Sequence, residues 1–228
     1  MSVKKSILAF LFVLIGTVLQ AQDRLEPVSN DTERTPLISR IYHQEVWRLL
    51  NRRNAKWGVF IHPSPLSQDG ESSLTYDARS HALVYTKVEG WLWNNVHKAV
   101  RVEKRVYEGN VVKEIIYSHE PQNYQEPSTK VCVLPIPNRM ARNLKKLWVS
   151  AVKITEANDI MIFDGTDFVF FANGKKAAVT GCDSGWVRVP RLLSLEYNLT
   201  KAVQNKDFEA LPALEQEAIE LRKLFEKK

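Results

Sequence analysis

The stretch DGTDFVFFANGKKAAVTG, residues Asp164 to Gly181, decides the fold class. Asp164-Gly165-Thr166 is a turn. Asp167 to Ala172 is a run of aromatic and β-branched residues, Asn173-Gly174 supplies the two positive-φ positions of a type I′ turn, and Lys175 to Thr180 returns, so a β-hairpin is expected. Its strands are too few to bury a core alone, and its neighbours are helical in pattern.

Upstream, Met140, Ala141, Leu144, Leu147, Trp148, Ala151 and Val152 recur at helical spacing from Asn138 onward, with Arg139, Arg142, Lys146 and Lys153 off that face. Ile160 to Phe163 reads as a strand between this helix and the hairpin. Downstream, Pro190 opens a helix carrying Leu192, Leu195, Leu199 and Ala202, and a last helix carries Leu214, Ala218, Leu221 and Phe225. The fold class is therefore α+β, with antiparallel hairpins packed against amphipathic helices and a helical C-terminus.

The first half is less regular. Thr35-Pro36 starts a helix whose stripe is Ile38, Ile41, Tyr42, Val46, Leu49 and Leu50. Trp57 to Ile61 is a strand stopped by His62-Pro63-Ser64-Pro65. Leu74 to Asp77 with Ala82 to Lys87, and Arg101 to Tyr107 with Val111 to Tyr117, form two further hairpins. Pro121 to Thr129 is a loop by composition, and Lys130 to Leu134 a short strand. A weak echo between LTYD…LVY and MIFD…FVF suggests related halves at about 35–120 and 130–228 within one domain spanning 35–228.

Lys4 and Lys5 precede an apolar run from Ile7 to Leu19 and the small residue Ala21, the pattern of an export signal ending near residue 21. Gln22 to Arg34 shows no period and reads as a mobile tail. The mature 207 residues then carry 30 basic against 26 acidic side chains, a net +4 that gives no reason to expect a nucleic-acid partner. No later stretch is long and apolar enough for a transmembrane segment. Periplasmic or secreted localisation follows. Two cysteines, Cys132 and Cys182, are the only disulfide pair available, and closing their loop would contribute about 4 kcal/mol.

Chemistry-bearing patterns are sparse. The five histidines are isolated, glycine-rich phosphate loops and nucleophile motifs are missing, and neither a metal nor a cofactor is expected. If the chain is a hydrolase, its acid–base groups must be assembled by the fold, with His62, His81, Asp164 and Asp167 the candidates. Six tryptophans offer a different chemistry. Trp91 and Trp93, on one face if the chain there is extended, and Trp57 are candidates for binding a protein, a peptide or the rings of a glycan. A non-enzymatic binding protein is the leading expectation, a hydrolase the alternative, and a structural component of the envelope a third class.

The run from Trp57 to Tyr85 with its SSLTYD and LVY segments, the later Leu147-Trp148, DGTDFVFF and the helical C-terminus together resemble a group of small exported Bacteroidetes proteins that have no established activity. The resemblance implies an envelope or secreted location. It implies no catalytic residue.

Overall fold

The hairpin at Asn173-Gly174 forms as the sequence predicts, with φ of +51° and +77° at the two turn residues. A glycine at the second of these carries no Cβ to oppose the left-handed backbone. The computed structural model describes residues 25–27, 37–51, 53–63, 69–109, 111–120, 123–153, 155, 165–181 and 187–227. The export signal, the helix start at Thr35-Pro36, the strand expected at Ile160 to Phe163, Asp164 and Cys182 lie outside those residues, and with Met161 to Asp164 goes the test of the internal echo.

Among the described residues the strands are β1 (Glu26–Pro27), β2 (Trp57–His62), β3 (Ser72–Asp77), β4 (Ala82–Val88), β5 (Val100–Glu108), β6 (Val111–His119), β7 (Thr129–Pro135), β8 (Thr166–Ala172) and β9 (Lys175–Gly181). The helices are α1 (Leu37–Leu50), α2 (Leu92–Lys98), α3 (Asn138–Lys153), α4 (Arg188–Asn205) and α5 (Leu211–Glu226). Seven strands form one antiparallel sheet in the order β1-β9-β8-β2-β3-β4-β7, and β5 with β6 makes a separate two-stranded ribbon. The class is α+β.

Alternation along each strand assigns the two faces. Trp57, Val59, Leu74, Leu83, Tyr85, Phe170 and Ala177 pack against α3, α4 and α5 in the larger core. All seven residues of the sequence-derived stripe on α3 are buried there. Trp148 is held in place by its indole N–H, which donates to the Gly58 carbonyl at 3.0 Å. The opposite face carries Phe60, Val88 and Phe171, covered by Val46, Leu49 and Leu50 of α1 and Leu92 and Val96 of α2. The sheet is thus the middle layer of three.

Several expectations need correction. Leu25, inside the supposed mobile tail, is fully buried in the larger core, and Glu26–Pro27 pairs with β9. Too few residues are involved for any period to show, and the open edge of β9 is what orders them. The chain between Trp91 and Trp93 is not extended, because α2 begins at Leu92; Trp91 precedes its first turn and Trp93 belongs to it. Trp57 is a core residue, 3 % exposed and stacked on Tyr76 at 5.2 Å, so it cannot join a surface platform. Cys132 lies on β7 and has no disulfide partner among the described residues, and Cys182 lies outside them.

One buried charge stands out in the larger helical layer. Glu196 of α4 is 2 % exposed, and burial raises its pKa to about 7 although the Thr200 hydroxyl donates to Oε1 at 2.7 Å and favours the anion. A carboxyl pKa raised on folding contributes stability that is present below its unfolded value of 4.5 and is lost as pH rises through 7. The loss amounts to about 3 kcal/mol. Glu196→Gln keeps an acceptor for Thr200 and removes the charge. Urea denaturation should find this variant more stable than the parent at pH 8 and almost unchanged at pH 4; equal midpoints at pH 8 would show that Glu196 is not ionised there.

Candidate functional site

Where β2 ends at the prolines, α1 and the start of α2 close over the sheet and bring polar groups into an apolar setting. Gly70 makes the approach of β3 to this region feasible. A Cβ at that position would lie 2.0 Å from the Val88 carbonyl oxygen, so only glycine lets the two backbones pass. The next residue, Glu71, is then fixed by the Val88 N–H, which donates to its carbonyl at 2.8 Å, and its side chain is directed inward with 2 % exposure.

Tyr42, on the stripe of α1, is the hub. Its ring lies 5.1 Å from Trp93 edge-on, 5.5 Å from His43 and 5.9 Å from His62. Its hydroxyl donates to Glu71 Oε1 at 2.8 Å and sits 3.1 Å from His62 Nδ1. A phenol has one proton to give. With that proton on the bond to Glu71, His62 Nδ1 must be the donor to Tyr42 Oη, which leaves Nε2 as the bare nitrogen. The chain of donors thus runs from His62 through Tyr42 to Glu71.

The surroundings hold these groups uncharged or resist their ionisation. Burial, then the neighbouring Glu71 carboxylate, pushes the Tyr42 phenol far above its ordinary value. Burial pulls His62 down to about 4, with His43 adding to the effect at a ring separation of 6.3 Å. Packing around its ring, then the Lys176 ammonium, lowers His43. Burial also raises Glu71, opposed by its own N–H, by the Tyr42 hydroxyl and by the N–H groups of Leu92 and Trp93 at the start of α2, although Oε2 itself has no hydrogen bond of normal geometry. At neutral pH the cluster is a set of packed aromatic rings with His62 held neutral by its burial.

Of the sequence candidates, His62 and Asp167 are brought together as direct cross-strand partners on β2 and β8. No hydrogen bond joins them among the described residues; Asp167 Oδ1 instead accepts from the Thr180 hydroxyl at 2.6 Å. His81 is elsewhere. It occupies the left-handed position of the β3–β4 turn, at φ +51°, and meets Tyr76 at 3.4 Å. That turn is at the opposite end of the sheet, about 17 Å away along β2. Trp91 is 40 % exposed and Trp93 half-buried against Tyr42. Trp47 of α1 lies over Phe60 and Phe171, is 37 % exposed, and has the Lys176 ammonium 4.9 Å from its ring.

Sequence reasoning missed Tyr42, His43 and Glu71. Tyr42 was hidden by belonging to an apolar stripe, and Glu71 by lying in a polar loop segment; the one available signal was a carboxylate directly preceding a strand of small and apolar residues. No group of three or more metal-ligating side chains occurs among the described residues, and no helix among them is long and apolar enough to cross a membrane. No protein-family model, curated protein or solved structure matches the chain.

Two outcomes follow from this geometry. Because His62 has its pKa lowered on folding, its neutral form contributes stability above the unfolded value of 6.5 that is lost as pH falls through 4. Imidazole C–H resonances followed by NMR should therefore show His62 titrating near pH 4; a midpoint above 6 would refute the burial argument. Tyr42→Phe keeps the ring contacts but leaves Glu71 Oε1 and His62 Nδ1 without their common partner. It should cost about 1–3 kcal/mol in urea denaturation at pH 7, and a neutral effect would mean that water replaces the hydroxyl fully.

Proposed function

We propose that the chain is an exported, non-enzymatic binding protein whose ligand rests on the aromatic surface where α1, α2 and the end of β2 meet. The observation that carries this reading is the contiguity of Trp93, Tyr42, His43 and His62, with ring centroids 5.1–6.3 Å apart, at the start of the helix that the exposed Trp91 precedes. Fixed aromatic rings offer large contact area with little side-chain entropy to lose, and the hydroxyl network beneath Tyr42 keeps the surface pre-organised. Such a surface suits a protein segment, a peptide or a glycan of the cell envelope. The export component of the proposal rests on Lys4, Lys5 and the apolar run from Ile7 to Leu19.

A second reading, a hydrolase, draws on the donor chain from His62 to Glu71 and on Asp167 opposite His62. It would use Nε2 of a neutral imidazole as a general base toward water. Among the described residues no serine, threonine or cysteine is hydrogen-bonded to His62, which favours binding over covalent catalysis.

One experiment separates the two. Wild-type protein, Trp91→Ala and His62→Gln are each tested for capture of partners from envelope extract and for binding to arrayed envelope glycans. Trp91 is chosen because its ring is exposed, so its loss should leave the melting temperature unchanged. Binding lost in Trp91→Ala and retained in His62→Gln is expected. A partner held equally by all three proteins sinks the aromatic-surface reading, and turnover of a captured glycan or peptide that vanishes only in His62→Gln would establish the hydrolase instead.

A further inference from the structure

On the other helical layer, and at the opposite end of β2 and β8, a cleft of about 520 Å³ opens between α3, α5 and the Asn173-Gly174 turn. Its polar lining is Lys145, Lys146 and Ser150 of α3, Asn173 of the turn, and Arg222 and Glu226 of α5. The size suits a small ligand, and the lining is rich in donors.

The charges do not balance. Glu226 Oε1 faces Arg222 Nε at 3.4 Å and accepts from the Ser150 hydroxyl at 3.3 Å, so this one carboxylate is committed to the guanidinium. Even so, Arg222 Nε is buried without a hydrogen bond of proper geometry. Neither Lys145 nor Lys146 has an ion-pair partner among the described residues, and the Asn173 side-chain amide has no hydrogen-bond partner among them either. Two lysines, an under-used guanidinium N–H and the Asn173 amide thus line one space. A buried donor left unmade costs free energy that an anionic acceptor would restore. A carboxylate would neutralise only one of the two lysines, whereas a phosphate monoester at neutral pH carries close to two negative charges and three acceptor oxygens.

We propose that this cleft binds a phosphate monoester as its dianion. The same chemistry is offered by a soluble phosphorylated sugar or by a lipid headgroup, and the test distinguishes them. Amide resonances of Ser150, Asn173 and Gly174 are followed while glycerol phosphate is added at constant ionic strength. Saturable shifts are expected, weaker in affinity by about tenfold or more in Lys145→Ala/Lys146→Ala and also weakened in Arg222→Gln. Affinity should fall several-fold from pH 7.5 to pH 5, as the second phosphate proton returns near pH 6. Both lysines are exposed, so the double variant should melt like the parent. In parallel, the protein is sedimented with phosphatidylcholine vesicles with and without phosphatidic acid. Co-sedimentation only with phosphatidic acid assigns the ligand to a lipid, and resonance shifts without co-sedimentation assign it to a soluble phosphomonoester. Linear, non-saturating shifts, or curves identical in wild type and the double lysine variant, overturn the site.

Discussion

The structure depends on the pairing of β2 with β8. That contact joins strands distant in the chain and places β2 between two hairpins, β8–β9 on one side and β3–β4 on the other. Because helices cover both faces, each of its six residues is committed. Trp57, Val59 and Ile61 face α3 to α5, and Phe60 faces α1 and α2. A slip of one residue would exchange these two sets and put His62 into the larger core. The indole of Trp148 bonding the Gly58 carbonyl opposes such a slip, since it ties α3 to a single register of β2. His62 lies at the end of this strand because Pro63 forbids another ladder bond there, and the site is built around that end.

Which parts were legible in the sequence follows from how local their causes are. The Asn173-Gly174 turn, the hairpin strands and the apolar face of α3 are encoded by adjacent residues, and each appears at the expected place. Strand order is different: nothing near Trp57 states that Phe171 and Leu74 will flank it, so the separation of Cys132 from β9 and the distance between His62 and His81 could not be read. The same reason hid β1, which is ordered by pairing with the distant β9 while Leu25 packs into the larger core. At Trp91 the failure was one of period. Three residues containing two tryptophans fit a strand or a helix start equally well, and the carboxylate of Glu71 beneath α2 is what tips them to helix.

Two buried titratable groups oppose one another across the sheet. His62 contributes stability that is lost on acidification from 6.5 toward 4, while Glu196 contributes stability that is lost on going from 4.5 toward 7. Over the shared interval their slopes have opposite sign, so the fold is less sensitive to mild acid than either group alone would make it. Below that range Asp77 takes over, held near 2 first by the Ser80 hydroxyl and then by Arg53 at 2.7 Å.

Glu71 is the more informative burial, because among the described residues no ion pair compensates it. Replacing a buried acid by an apolar residue is often neutral or favourable, so its position calls for a local reason. Its carboxyl meets its own N–H, the Tyr42 hydroxyl and the first N–H groups of α2, and Tyr42 links it to His62. One group therefore sets the rotamer of Tyr42, the start of the helix that carries Trp93, and the tautomer of His62. Those are the variables that define the aromatic surface, and an apolar side chain at position 71 could set none of them by hydrogen bonding. The cationic cleft shares no residue with this network and is built from α3, α5 and the far hairpin turn, so the middle sheet presents two chemically distinct surfaces that can be altered one at a time.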